Sequence, residues 1–156
     1  MGGQERWPVR PAEAVAFDSR ASTHAVRRGR FPPDPDVTYV CAVGQLYKTH
    51  RERGVYKTTD GGQSWTQSLF LNEETGCSDL TMDPRDPQTL YAGTWQISIH
   101  TWNLTSGGPG SGVSVTHDGG ATWTKLAGHG LPSAGATIGK VAVVVAPSNP
   151  NRPRAR

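Results

Sequence analysis

Cysteine is scarce in this chain: Cys41 and Cys77 are the only two, and they show no metal-ligand spacing. That excludes a cysteine-rich zinc site and a disulfide-dense scaffold. Of the two states open to them, a disulfide or a free and partly buried pair, the free pair is expected. Long apolar runs are missing as well. No stretch approaches the ~20 residues that cross a bilayer as a helix, so no membrane insertion is expected. Met1 to Arg10 carries Glu5, Arg6 and Pro8 where a secretory signal needs an apolar core, so no export signal is read there. No segment sustains a helical period; Ala12–Phe17 comes nearest and is too short to hold alone. His24, His50, His100, His117 and His129 are scattered without paired spacing. Neither a metal nor another cofactor is expected.

Positive charge is scarce where the pattern is strongest. The chain has net charge +3, but residues 54–126 hold three basic and seven acidic side chains. The excess of Lys and Arg falls in 1–53 and 127–156, in runs such as Arg27-Arg28-Gly29-Arg30. A nucleic-acid binder concentrates it on the folded face, so no nucleic-acid partner is expected.

Turn formers are plentiful: 19 glycines and 12 prolines. They are organised by repetition. Thr58-Thr59-Asp60-Gly61-Gly62-Gln63-Ser64-Trp65 recurs 58 residues later as Thr116-His117-Asp118-Gly119-Gly120-Ala121-Thr122-Trp123. A second pattern, Pro-x-Asp/Asn-Pro, occurs at Pro32–Pro35, Pro84–Pro87 and Pro147–Pro150, alternating with the first. Internal repetition at this period decides architecture before any local propensity does. Runs rich in Val, Thr, Tyr and Trp flank each pattern, among them Val37–Cys41, Gly54–Thr58, Asp79–Met82, Thr89–Trp95 and Lys140–Val145. Such runs, bounded by Gly, Pro and Asp, are short strands joined by tight turns. Two hairpins per unit make four antiparallel strands, which is the size of a propeller blade.

The expected fold is therefore all-β: about two four-stranded antiparallel β-propeller blades, a partial propeller. An irregular segment is placed at 1–30, a first blade at 31–70 and a second at 76–127. The first strand of a third blade and a tail follow at 138–156. The charges in Ala25–Arg30 and Asn151–Arg154 interrupt the repeat at both ends, and the chain is read as a fragment.

The octet has the chemistry of a turn lock. Asp60 and Asp118 can accept backbone N–H bonds two or more residues on, while Gly62 and Gly120 supply positive φ. Thr58, Ser64, Thr116 and Thr122 offer hydroxyls to the remaining turn groups. Trp65 and Trp123 fall on the next strand, where they can pack between blades. A glycosidase pair needs two carboxyls flanking one bond, not one in each of two equivalent turns. A calcium loop needs several alternating oxygen ligands, which Gly61-Gly62-Gln63 does not provide.

These octets resemble the Asp-box, or bacterial neuraminidase repeat, of sialidases, xyloglucan-degrading glycosidases and sortilin-type receptors. The run from Arg53 through Gln96 to Gly112 looks like the sortilin-like propellers of large bacterial proteins labelled glycosyl hydrolases. The resemblance covers roughly residues 35–150. It implies a many-bladed propeller in an exported or envelope-associated bacterial protein, with the Asp-box turn peripheral to the substrate cleft. The arginine cluster and the Tyr–Glu pair of a sialidase site have no match here, and no catalytic residue is assigned.

Function follows as two alternatives. The preferred one is a propeller scaffold for protein or glycan binding, without a self-contained active site and not expected to be an enzyme in isolation. The other is part of a sialidase-like or xyloglucanase-like glycosyl hydrolase, with its carboxylates mostly outside this chain or at Glu73, Glu74 or Asp79. The expected partners are the remaining blades or another copy of the chain, and a protein or carbohydrate ligand. Trp95 and Trp102 are the candidate glycan contacts, because aromatic faces stack on sugar rings. Ser106–Gly112 is glycine-rich but lacks the Lys-Ser/Thr of a phosphate loop and is expected to be a flexible connection.

Overall fold

The computed structural model describes residues 36–132 and 136–146, and the backbone of 154–155. The expected irregular segment 1–30 lies outside the described residues. Among the described residues there is no helix, and the strands are β1 (Thr38–Ala42), β2 (Gly54–Thr58), β3 (Thr66–Leu69), β4 (Thr75–Met82), β5 (Leu90–His100), β6 (Asn103–Ser106), β7 (Gly112–Thr116), β8 (Thr124–Lys125), β9 (Val143–Val144) and β10 (Arg154–Ala155).

They form antiparallel sheets. The first is β1-β2-β3; the second is β4-β5-β7-β8, with β6 added to the far half of β5; β9 and β10 pair as a hairpin. The second sheet thus exceeds four strands, because β5 outruns β7. Its residues Leu90–Thr94 pair with β7, while Ile97–His100 fold back on β6. A shift between Cys77 and Asp79 bulges β4. The strand ends sort the connections: the Asp60 and Asp118 turns and the Pro84–Pro87 turn share one end. The loop 43–53, the β3–β4 link and the β5–β6 hairpin occupy the other.

Two apolar clusters hold the layers. Tyr39, Cys41, Val55, Leu69, Cys77, Leu80, Leu90 and Ala92 fill the space between the first and second sheets. Tyr91, Val113 and Val115 meet Val141, Val143 and Val145 on the other side of the second sheet. Burying each such aliphatic side chain is worth ~1.5–3 kcal/mol, which makes these layers the main cohesive term.

The cysteines correct an expectation. Cys41 on β1 and Cys77 on β4 are not free but form a disulfide, with Cα atoms 5.1 Å apart, inside the first cluster. Packing β1 against β4 brings two residues from different sheets into bonding range. Their spacing in the sequence carries no trace of that.

Candidate functional site

Each Asp-Gly-Gly turn closes on itself. Thr58 Oγ1 donates to Asp60 Oδ1 at 2.7 Å and accepts the Gly62 N–H at 3.0 Å. The Ser64 N–H donates to Asp60 Oδ1 at 2.8 Å, and its hydroxyl donates to Oδ2. The second turn repeats this. Thr116 Oγ1 donates to Asp118 Oδ1 at 2.6 Å, and Thr122 donates through N–H at 2.9 Å and through its hydroxyl at 2.6 Å. Gly61, Gly62, Gly119 and Gly120 all have positive φ, between 66° and 91°, so the paired glycines carry the reversal.

Hydrogen bonds that favour the charged form depress both carboxyls. Asp60 is lowered to about 2, chiefly by the Ser64 hydroxyl and then the Ser64 N–H. Asp118 falls well below the usual carboxylate range, first through Thr116 and then Thr122. Two strong acids spent on local donors are turn fasteners; neither is poised to move a proton near neutral pH.

The turns also join the two sequence patterns. Gly61 N–H donates to Asp36 O at 3.0 Å, and Gly119 N–H donates to Gln88 O at 2.9 Å. In the sequence, Asp36 and Gln88 directly follow Pro35 and Pro87, the last residues of two Pro-x-Asp-Pro patterns. The second turn is then received by the first sheet. Tyr39 Oη and Lys57 Nζ donate to Gly119 O at 2.7 and 2.8 Å, and Ser68 Oγ donates to Gly120 O at 2.6 Å. Half-buried Trp123 packs on the first cluster and donates its indole N–H to Ser68 Oγ at 3.0 Å. A groove of about 320 Å³ between the two turns is lined by Lys57, Ser64, Ser68 and Gly120 among others. Its amine and serine hydroxyls already serve these bonds.

The other end collects different chemistry. Arg53, 1% exposed, donates to the main-chain oxygens of Glu74 (2.7 Å), Lys48 (3.2 Å), Ile97 (3.4 Å) and Gln45. It ties the 43–53 loop to the start of β4 and to β5. Burial lowers its guanidinium below the usual arginine range, and the Glu74 charge opposes that. Gly44 leaves room for it: a Cβ there would lie 2.5 Å from Arg53 Cγ. Glu74 Oε2 accepts from Gln96 Nε2 at 3.0 Å, and Gln96 Oε1 accepts the Gly110 N–H at 2.9 Å. Glu73 pairs with Arg51 at 3.1 Å in the open.

Of the three candidate carboxylates, Glu73 and Glu74 share this end, whereas Asp79 does not join them. Asp79 accepts the N–H groups of Leu80 and Val143, each at 3.0 Å, and so fastens β4 to β9. The glycine-rich link 107–112 is also firmly held. Gly107 N–H donates to Gln96 O at 2.8 Å, and Thr94 Oγ1 donates to Gly110 O at 2.8 Å. It therefore departs from the flexible connection expected of it. The tryptophans separate too. Trp95 is half-buried, bonded through Nε1 to Ser106 Oγ at 3.0 Å and covered by Lys140, 5.6 Å from the ring. Trp102, 85% exposed, sits on the β5–β6 turn and stacks on His100 at 5.6 Å. Tyr47, Phe70, Leu71 and Leu104 are exposed at this same end.

Arg53 and Gln96 escaped the sequence reading, as did Tyr39, Lys57 and Ser68. A buried arginine leaves no local signature; the one hint is its place directly before Gly54-Val55, which recurs 58 residues later as Gly112-Val113. Among the described residues no group of three or more His, Cys, Asp or Glu could hold a metal ion. None of them forms a helix long and apolar enough to cross a membrane.

No family model matches the chain, and no curated protein does. Among solved structures, an ancestral GH74 enzyme, a β-propeller glycosidase, shares the fold at a TM-score of 0.60 and 18% identity. The two sheets are propeller blades. The match covers 86% of this chain but 16% of that enzyme, so the chain spans about a sixth of its length. A likeness at that identity carries the architecture alone.

Proposed function

We propose that the chain is an Asp-box propeller scaffold whose loop end binds glycan or protein, with no self-contained active site. The observation that supports it most is the division of labour between the two ends. At the turn end both aspartates are consumed by local hydrogen bonds, and the second turn docks on the neighbouring blade through its glycine carbonyls. At the loop end an exposed aromatic, Trp102, stands on a short hairpin fastened to the rest of its blade. Further blades, or another copy, complete the ring, and the inter-blade disulfide suits an exported protein in an oxidising compartment. Titrating the purified chain with neutral and acidic oligosaccharides, read by tryptophan fluorescence, tests this. Binding that Trp102→Ala abolishes is the expected outcome; binding that survives it refutes the assignment.

A second reading is part of a glycosidase. It is favoured by Glu73 and Glu74 lying at the loop end beside Arg51 and Arg53, and by the GH74 fold likeness. Turnover of a fluorogenic glycoside that Glu74→Gln abolishes, with thermal stability unchanged, would establish it.

A further inference from the structure

Cross-strand partners in an antiparallel ladder share a face. The pairs Ser98↔Thr105 and His100↔Asn103 therefore put four polar side chains, none of them a carboxylate, ammonium or guanidinium, on one face of the β5–β6 hairpin. Ile97↔Ser106 and Ile99↔Leu104 take the other face. Trp102, in the turn between the strands, belongs with the polar face: its ring is stacked on His100, with centroids 5.6 Å apart and planes 13° from parallel. One side of the indole is thus covered and the other is open, the residue being 85% exposed.

The hydrogen bonds already made on this face leave a defined remainder. Asn103 Nδ2 donates to Thr105 Oγ1 at 3.3 Å, and Ser98 Oγ bonds His100 Nε2 at 3.1 Å. The Thr105 hydroxyl, having accepted, keeps its proton to give, and Asn103 Oδ1 keeps its lone pairs. A donor and an acceptor side by side, next to an open indole, match two neighbouring hydroxyls and the C–H face of a sugar ring.

Fixed charge is absent from this face. Residues 87–116 contain no Asp, Glu, Lys or Arg, whereas a merely solvated surface is ordinarily furnished with them. The cations nearby are engaged elsewhere. Lys140 stands over the Trp95 ring, and Trp95 alternates onto the Ile97 face, away from His100. Lys125 donates to Pro109 O, Arg51 pairs with Glu73, and Arg53 is buried among main-chain oxygens. Lys48, on the loop that reaches β5 through Leu46 O, has an unengaged ammonium among the described residues. A lone flexible ammonium lacks the planar fork with which arginine fixes a carboxylate.

We propose that this face of the hairpin binds a neutral glycan. The open side of Trp102 stacks on a sugar ring, Thr105 Oγ1 donates to one hydroxyl, and Asn103 Oδ1 accepts from its neighbour. His100 is a positioning residue that holds the indole. The inference rests on the reading of Trp102 as a glycan contact and adds to it the polar contacts and the class of sugar.

The test is calorimetric titration of the full chain with cellotetraose, maltotetraose and mannotetraose, beside sialyllactose and tetragalacturonate. One of the neutral sugars is expected to bind at least roughly tenfold more tightly than either acidic one. Asn103→Ala and Thr105→Val should each weaken that binding by roughly threefold to tenfold, the worth of one hydrogen bond, with thermal melts unchanged. Lys48→Met should leave it unaltered. Absence of binding by every sugar overturns the glycan reading of Trp102 and this inference with it. Binding that Trp102→Ala abolishes, but that favours the acidic sugars, depends on Lys48 or ignores Asn103→Ala or Thr105→Val, overturns this inference alone.

Discussion

The hydroxyl of Tyr39 donates to the carbonyl oxygen of Gly119 at 2.7 Å, joining residues 80 positions apart in adjacent blades. The bond explains why the second Asp-Gly-Gly turn serves two purposes: it reverses its own chain and presents its glycine carbonyls to the neighbour. Burial is the main cause that raises the Tyr39 hydroxyl pKa, with the Asp118 charge adding to it, so the phenol stays a donor across the accessible pH range.

Tyr39→Phe should destabilise the fold by about 1 kcal/mol, the usual net worth of one such bond. The loss is limited because Lys57 Nζ still donates to the same oxygen at 2.8 Å. Denaturant melts of Tyr39→Phe, Lys57→Met and the double variant should show a combined loss larger than the two single losses together. A strictly additive cycle would mean that the two donors do not share their acceptor.

Breaking the Cys41–Cys77 bridge should cost ~2–4 kcal/mol, because it closes a long loop between two blades. Equilibrium melts with and without reductant, beside Cys41→Ser, read this directly. Both sulfurs lie in residues at most 1% exposed, so a reductant should open the bridge, and an alkylating agent then label the two thiols, only once the protein unfolds.

The tryptophans should behave oppositely. Trp123→Ala removes a half-buried ring from the inter-blade cluster and leaves Ser68 without its indole donor. A loss of about 2–3 kcal/mol is expected, below the ~3–5 of a fully buried tryptophan. Trp102→Ala should change stability by no more than about 0.5 kcal/mol, as exposed substitutions do. Comparable losses from the two would place Trp102 in the core.

Much of this was legible in the sequence, and the reason is distance along the chain. Every bond that the Asp60 carboxylate and the Thr58 hydroxyl make within the turn spans four residues or fewer, so Thr58, Asp60, Gly62 and Ser64 announce it locally. Strand positions followed from β-branched runs between glycine and proline, and Gly54–Thr58 is a strand with those bounds. The rest depends on which strands become neighbours. Pairing of Cys41 with Cys77 requires β1 against β4, and Arg53 finds acceptors as distant as Ile97. Trp95 and Trp102 look equivalent as residues; only the fold-back of β5 onto β6 leaves one half-buried and the other exposed.

The central claim is that Asp60 and Asp118 are turn locks rather than acids or bases, and carboxyl titration by carbon-13 NMR tests it most directly. Both folded-state pKa values are depressed below an unfolded value near ~3.9. The stability they contribute is therefore fully present above that value and is lost as pH falls through the folded pKa. For Asp60 the window runs from about 4 down to about 2, with Ser64→Ala shifting the midpoint upward because it removes the largest cause. Asp118 should likewise stay ionised well below the usual carboxylate range, with Thr116→Val moving its midpoint upward because it removes the largest cause. An Asp60 midpoint of about 2 and an Asp118 midpoint well below the usual carboxylate range are expected. Midpoints near ~3.9 for both, unmoved by the hydroxyl deletions, would mean that the carboxylates are free of the turn and would contradict the account.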